Sequence, residues 1–308
     1  MLNKLRNFIE QKRDSQNYFW KFFILIKDSL WRFIQPFKRL DVSFYSESFF
    51  SYLRKENSFA NIDTYCVFVG HGRSGSTLVH ALLDAHPQIV ISNELSFSGF
   101  FNLMMFNKNL IFSMILERNK AFVRRGQVGR GGYIYHVPNQ WQGKTKEIKI
   151  IGDKDQIKAA NKIYTDQSLV DRIKRRLNIK VKLIHVIRNP FDAMSSLFLA
   201  RGGNLIDIIK HYFLLMDKIR FIKEKYHPDF IEVYHEELIK NPSSVLKKLN
   251  SFLGVRAAPK YLDDCRSIIW SKPNRSRYKI QWPPELIEMV QKRINDYDFL
   301  KHYSYQGE

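Results

Sequence analysis

The stretch Val67–Leu95 reads VFVGHGRSGSTLVHALLDAHPQIVISNEL. An apolar run enters a turn carrying Gly70, Gly72 and Gly75, a helical pattern follows at once, and a second apolar run closes the unit. Strand, glycine turn, helix and strand in that order form the building block of a parallel α/β sheet. The turn suits an anion, because the first N–H groups of a helix have no intrahelical acceptor and the helix dipole favours negative charge there.

Gly70, Gly75 and Thr77 fit the phosphate-loop spacing G-x-x-x-x-G-K-[ST], but Ser76 stands where the lysine that reaches the β- and γ-phosphates belongs. That absence disfavours an ordinary nucleoside triphosphatase. Arg73 instead places a cation inside the turn, suited to a phosphate or to a group being transferred. Gly70, Gly72 and Gly75 also fit a dinucleotide fingerprint formally, with Glu94 about 20 residues onward, and the glycines alone leave that alternative open.

Five apolar runs are expected as strands: 64–70, 88–92, 148–152, 180–187 and 230–235. Several are nearly continuous, as in strands buried on both faces of a parallel sheet. Helical patterns cover Thr77–Ala85, Asn161–Leu177, Asp192–Ala200, Asn204–Tyr226, Pro242–Phe252 and Pro284–Asn295, the last two with proline in the first turn. The expected fold is α/β, a P-loop-like three-layer arrangement with a mostly parallel central sheet flanked by helices. Residues 1–60 read as a basic, aromatic helical extension and 61–308 as the main domain. An insertion at about 99–147, rich in glycine, arginine and aromatics towards its end, would supply a substrate wall, a lid or a dimer surface.

The 308 residues carry a net charge of +20, which implies an anionic partner: nucleic acid, a membrane surface or a phosphorylated small molecule. Cys66 and Cys265 form no metal or disulfide pattern, which is compatible with a reducing cytoplasm. Lys4, Arg6, Glu10, Lys12, Arg13 and Asp14 break up the opening, so no secretory signal is expected. Lys21, Lys27, Asp28 and Arg32 interrupt the aromatic stretch 18–40, which is unsuited to spanning a bilayer. It either packs on the domain or lies on an anionic membrane. The expected location is cytoplasmic, peripheral on the inner membrane face in the second case. The histidines show no metal-ligand spacing, and no metal is expected.

A second motif, HVIRNPFDAMSSLFLARGG (185–203), leaves the fourth strand. Pro190 ends the strand, Asp192 favours or caps the next helix start, and Ser196 lies one helical turn beyond it. Arg188 and Ser196 are placed to share one phosphate, with Arg201 and His185 as further donors. A ligand with phosphates at two separate places would use both motifs.

Together the motifs resemble those of sulfotransferases that use 3′-phosphoadenosine 5′-phosphosulfate (PAPS). GRSGST is similar to the family's 5′-phosphosulfate loop and RNPFDAMSS to its 3′-phosphate motif. The likeness covers roughly residues 63–298. RSGSTLVHALLDAHPQIVISNEL is similar to the tyrosylprotein and glycan branches, where a glutamate follows the second strand, although their paired glutamates stand here as Asn93 and Glu94 and their membrane anchor is not found. The resemblance implies PAPS as donor and 3′-phosphoadenosine 5′-phosphate (PAP) as product. Arg73, Ser74, Gly75, Ser76, Thr77, Arg188, Ser196 and Arg201 would hold the nucleotide. Arg275 and Arg277, in a late basic loop, would close over it.

Glu94 would act as general base, its basicity raised by partial burial, while Arg73 and Lys154 would stabilise the transferring group. The implied partner is a hydroxyl-bearing acceptor, a carbohydrate or glycolipid, with an anionic or lipid-linked glycan suiting the charge. The alternatives are a protein-tyrosine sulfotransferase and a non-catalytic protein that binds nucleic acid or a membrane surface. No nucleic-acid motif supports the latter.

Overall fold

The computed structural model describes residues 48–49, 51–52, 59–95, 107–129, 132–144 and 146–307. The chain divides into two units, Met1–Ser46 and Glu47–Glu308, and everything described lies in the second. The aromatic stretch 18–40 lies outside the described residues.

Five parallel strands form one sheet: β1 (Thr64–Val69), β2 (Ile89–Asn93), β3 (Ile150–Lys154), β4 (Lys180–Ile187) and β5 (Phe230–Tyr234), in the order β2-β3-β1-β4-β5. The central strand β1 is buried at every position, which explains its unbroken apolar run. Cys66 and Phe68 of β1 face one layer of helices with Ile91, Ile184 and Val233. That layer contains α1 (Ser76–Asp84), α8 (Pro242–Leu253) and α9 (Pro259–Ser267). On the other face, Tyr65 and Val67 meet Ala159 and Ile163 of α3 (Gln156–Thr165) and Leu169 and Ile173 of α4 (Leu169–Leu177). The helices α2 (Lys108–Arg124), α5 (Pro190–Arg201), α6 (Leu205–Lys225), α7 (His235–Lys240) and α10 (Pro284–Ile294) complete the described set.

Two differences from the sequence reading have clear causes. The single helix expected over Asn161–Leu177 is two, broken at 166–168, where Asp166 takes Arg172 and Ser168 as partners. Strand β3 ends at Lys154 rather than Gly152, because it pairs with β1 on one side and β2 on the other, up to Asn93 opposite Lys154. The insertion is knit into the core through α2. Asn107 caps that helix by accepting from Leu110 N at 2.9 Å. Asn119 donates to Asp84 Oδ1 at 2.6 Å and to Ile91 O at 3.0 Å.

Asp84 is a buried acid at the end of α1. Its Oδ1 also accepts from Ile91 N at 3.0 Å, while Oδ2 has no partner, and burial pushes its pKa up from 3.8 to about 7. Between those pH values the native carboxyl stays protonated while the unfolded one ionises. The native state then binds more protons, so this group's contribution to stability falls as pH rises through the window. Asp84→Asn removes that slope. The expected result is that the urea midpoint of the variant, relative to the parent, increases from pH 5 to pH 8. A pH-independent difference would contradict it.

Candidate functional site

Parallel strands place all their carboxyl ends on one edge, and in this order the chain moves off β1 in both directions, which opens a crevice there. The loop after β1 begins the site. Gly70 and Gly75 adopt φ of 135° and 91°, the backbone region that favours glycine. A Cβ on Gly70 would stand 2.8 Å from the ring of His185, and one on Gly75 only 2.2 Å from the ring of His235. Two imidazoles therefore wedge the loop from below. Burial lowers the pKa of both to about 3, with Lys223 adding to the effect at His185 and Arg188 at His235, so they sit there uncharged. Gly75 precedes α1 and no side chain caps that helix start. Ser74 and Ser76 are buried beside it.

Arg73 is exposed, with φ of 69°, and its Nε donates to Ser196 Oγ at 2.9 Å. Its carbonyl accepts from Arg188 Nη1 at 3.2 Å. The two motifs read from the sequence are thus joined directly. Arg188 lies just past β4 and is buried. Its Nη2 donates to Asn274 O and to Ser276 Oγ, while Nε has no partner. Burial lowers its pKa, against the opposing charges of Asp192 and Glu236.

On the other side of β1, Lys154 ends β3. It is buried, and its Nζ donates to Thr77 Oγ1 at 3.1 Å and to Glu94 Oε1 at 3.4 Å. Burial lowers its pKa, and Glu94 opposes that shift. Glu94 follows β2 with φ of 57°. Its N–H donates to Lys154 O at 3.1 Å, and Leu95 N then turns to Asp153 Oδ1 at 3.0 Å. The side chain of Glu94 is 65% exposed, so the burial expected to tune it is not found, and an ammonium is its neighbour instead. Arg73 and Glu94 are both non-glycine residues held at positive φ, a strain that clusters at functional positions.

A further expectation needs correction. Arg277, expected on the nucleotide, is 1% exposed. It donates to Asp192 Oδ2 at 2.9 Å through Nη1 and to Gly307 O at 2.9 Å through Nη2, so two of its three nitrogens bond inside the protein, while Nε has no partner. Asp192 lies in the first turn of α5, where it favours the helix start as expected, but the cap is Asn189, accepting from Phe191 N at 3.0 Å, and Asp192 takes Arg277 and its N–H. Arg201 and Arg275 are exposed and form no hydrogen bond within the Arg73–Ser196–Arg188 network. His235, Glu236 and Asn189 were not singled out in the sequence. The signal was HEE directly after β5, polar residues at the end of a buried parallel strand.

The wedge under the loop can be tested by a double-mutant cycle. Gly75→Ala alone is expected to destabilise the protein by about 1–3 kcal/mol in urea unfolding. In a His235→Ala background the cost should shrink by at least about 1 kcal/mol, because the collision is gone while the φ strain remains. Additive effects would show that the ring does not constrain the loop.

A family model described as the sulfotransferase family matches residues 67–138, a span that contains the loop, Glu94 and α2. The match makes that span similar to the sulfotransferase family. No curated protein sequence matches the chain. Among solved structures, the sulfotransferase domain of the Synechococcus PCC 7002 olefin synthase is 16% identical, with a TM-score of 0.45, covering 79% of this chain and 98% of its own. Sulfotransferase STF9 from Mycobacterium avium is 12% identical, with a TM-score of 0.47, covering 89% and 84%. Mouse sulfotransferase SULT7A1 complexed with PAP is 14% identical, with a TM-score of 0.46, covering 84% and 94%.

Proposed function

We propose that the protein transfers the sulfuryl group of PAPS to an acceptor hydroxyl, with Glu94 as general base and Arg73 and Lys154 stabilising the developing charge. The observation that carries this reading is the 2.9 Å hydrogen bond from Arg73 to Ser196. It joins the loop after β1 to the helix after β4 at one strand edge, which supports reading the two as neighbouring subsites for a nucleotide phosphorylated at both its 5′ and 3′ positions. Ser74, Gly75, Ser76 and Thr77 would hold the 5′ side through hydroxyls and loop N–H groups. Arg188 and Ser196 would hold the 3′-phosphate. Arg188 Nε, buried and without a partner, suits such an acceptor. Arg201 and Arg275, exposed near this side, would add longer-range attraction.

In the reaction the acceptor oxygen forms a bond to sulfur as the bond from sulfur to the bridging phosphate oxygen breaks. The hydroxyl proton passes to Glu94, and the electron pair of the broken bond leaves on PAP. The exposure of Glu94 leaves its carboxylate open to an acceptor arriving from solvent. The bonds of Lys154 to both Thr77 and Glu94 support a role in which its positive charge would offset the charge gained by the leaving phosphate oxygen. Arg118 of α2 donates from Nε to Asn93 O at 3.2 Å, beside Glu94. A cation there, in a chain of net charge +20, favours an acceptor that is itself anionic, such as a glycan or lipid-linked glycan.

PAP is expected to raise the unfolding temperature where ATP with magnesium does not. The reverse pattern would remove the reading. Sulfuryl transfer to a panel of sugars, glycolipids and tyrosine peptides, read by mass spectrometry, identifies the acceptor. With that acceptor, Glu94→Gln should lower turnover by about 10²–10⁴-fold while leaving PAP affinity nearly unchanged. Unaltered turnover would dismiss Glu94 as the base. Arg188→Ala should weaken PAP by about tenfold or more and adenosine 5′-phosphate far less, as calorimetry would show.

A further inference from the structure

The residue after Arg188 is held from four directions. Asn189 N donates to Glu236 Oε1 at 2.9 Å, and its Nδ2 donates to Ser304 O at 3.0 Å and Gly307 O at 3.2 Å, while its Oδ1 caps α5. Asn189 is wholly buried. The other oxygen of Glu236 accepts from Tyr303 OH at 2.6 Å. The same buried carboxylate therefore grips the turn that presents Arg188 and the segment that lies across it.

That segment is fixed along its length. Gln291 donates to Tyr303 O at 3.1 Å, and Gly307 N donates to Ser304 Oγ at 2.7 Å, which folds the backbone so that Gly307 O meets both Asn189 and Arg277. The ring of Tyr305 packs edge-on against Phe191 of α5 at 5.2 Å and near Trp282 at 6.4 Å. Trp282 in turn donates to Ser195 Oγ at 2.9 Å, next to Ser196. The contacts of Ser304 O, Gly307 O and the Tyr305 ring reach Asn189 and the first turn of α5. None of them reaches Arg73, Ser74, Ser76 or Thr77.

We infer that Glu236 and the segment Tyr303–Gly307 form a latch whose role is to position Arg188 and Ser196, so that the latch sets the site's preference for a 3′-phosphorylated nucleotide. The inference rests on the donor reading above and goes beyond it by assigning positioning residues that do not touch the ligand. A buried hydrogen-bonded carboxylate holds a turn in one geometry, because leaving either oxygen unpaired inside the protein is costly. Releasing Tyr303 or the Ser304 and Gly307 carbonyls loosens the Arg188 turn directly and reaches the 5′ loop only at second hand, through the Arg188–Arg73 and Arg73–Ser196 bonds and through His235 beside Glu236, while His185 still packs under Gly70.

The test uses the full chain, Tyr303→Phe, and a variant lacking residues 304–308, titrated calorimetrically with PAP and with adenosine 5′-phosphate. Both variants are expected to lose about tenfold in PAP affinity and less than about twofold for adenosine 5′-phosphate, so that the ratio collapses. A purely structural role would weaken both nucleotides equally. That result, or an unchanged ratio, overturns the latch. If the shortened chain fails to fold, Tyr303→Phe, which keeps the ring and removes one hydroxyl, decides the matter alone. If the unaltered protein binds PAP no better than adenosine 5′-phosphate, the donor reading itself fails and the latch with it.

Discussion

The guanidinium of Arg188 is the node on which the site is assembled. A cation taken out of water must be surrounded by acceptors and opposing charge, or its desolvation is not offset. Here Arg73 O, Asn274 O and Ser276 Oγ supply acceptors from two distant segments, and Asp192 and Glu236 supply negative charge. Both carboxylates are committed elsewhere as well. Asp192 is shared with buried Arg277, and Glu236 with Asn189 and Tyr303. Burying one arginine thus recruits the loop after β1, the late basic loop and the segment Tyr303–Gly307 into a single arrangement.

The lysine missing from position 76 has a counterpart in space. Lys154 reaches Thr77 Oγ1 from the end of β3, so an ammonium stands beside the helix start although the chain delivers it from 77 residues away. That route differs from a lysine on the loop in one respect. The strand that carries Lys154 is paired to β2, and β2 presents Glu94. Lys154 and the residue before Glu94 are therefore held in register by a β-ladder, which fixes the separation of ammonium and carboxylate more firmly than a loop would.

Much of the fold was legible because its signals are local and repeated. β1 and β4 are apolar on both faces and flanked by turn residues, and a right-handed strand–helix–strand connection leaves few topologies to choose from. Helix breaks were less legible. The residues Asp166–Ser168 look compatible with a continuing helix until Arg172 turns back onto Asp166. The same applies to the ends of β3, where pairing on both sides carries the strand past the apolar run.

For the site, residue types and order singled out Arg73, Arg188 and Ser196 as candidates, the family resemblance added Lys154 and Glu94, and the fold brings Arg73 to Ser196 and Arg188 and brings Lys154 to Glu94. The pairing of those groups was not contained in the order of residues. Arg277 and Arg275 are two positions apart and equally basic, yet one is sealed against Asp192 and the other is open to solvent. Glu94 was expected in a partly buried setting and stands exposed beside an ammonium. Local sequence fixes backbone preference and chemical type over a few residues. Burial, charge partners and the reach of a side chain depend on segments brought together from across the chain, and only the packed sheet with its surrounding loops decides which cation meets a ligand and which meets a carboxylate.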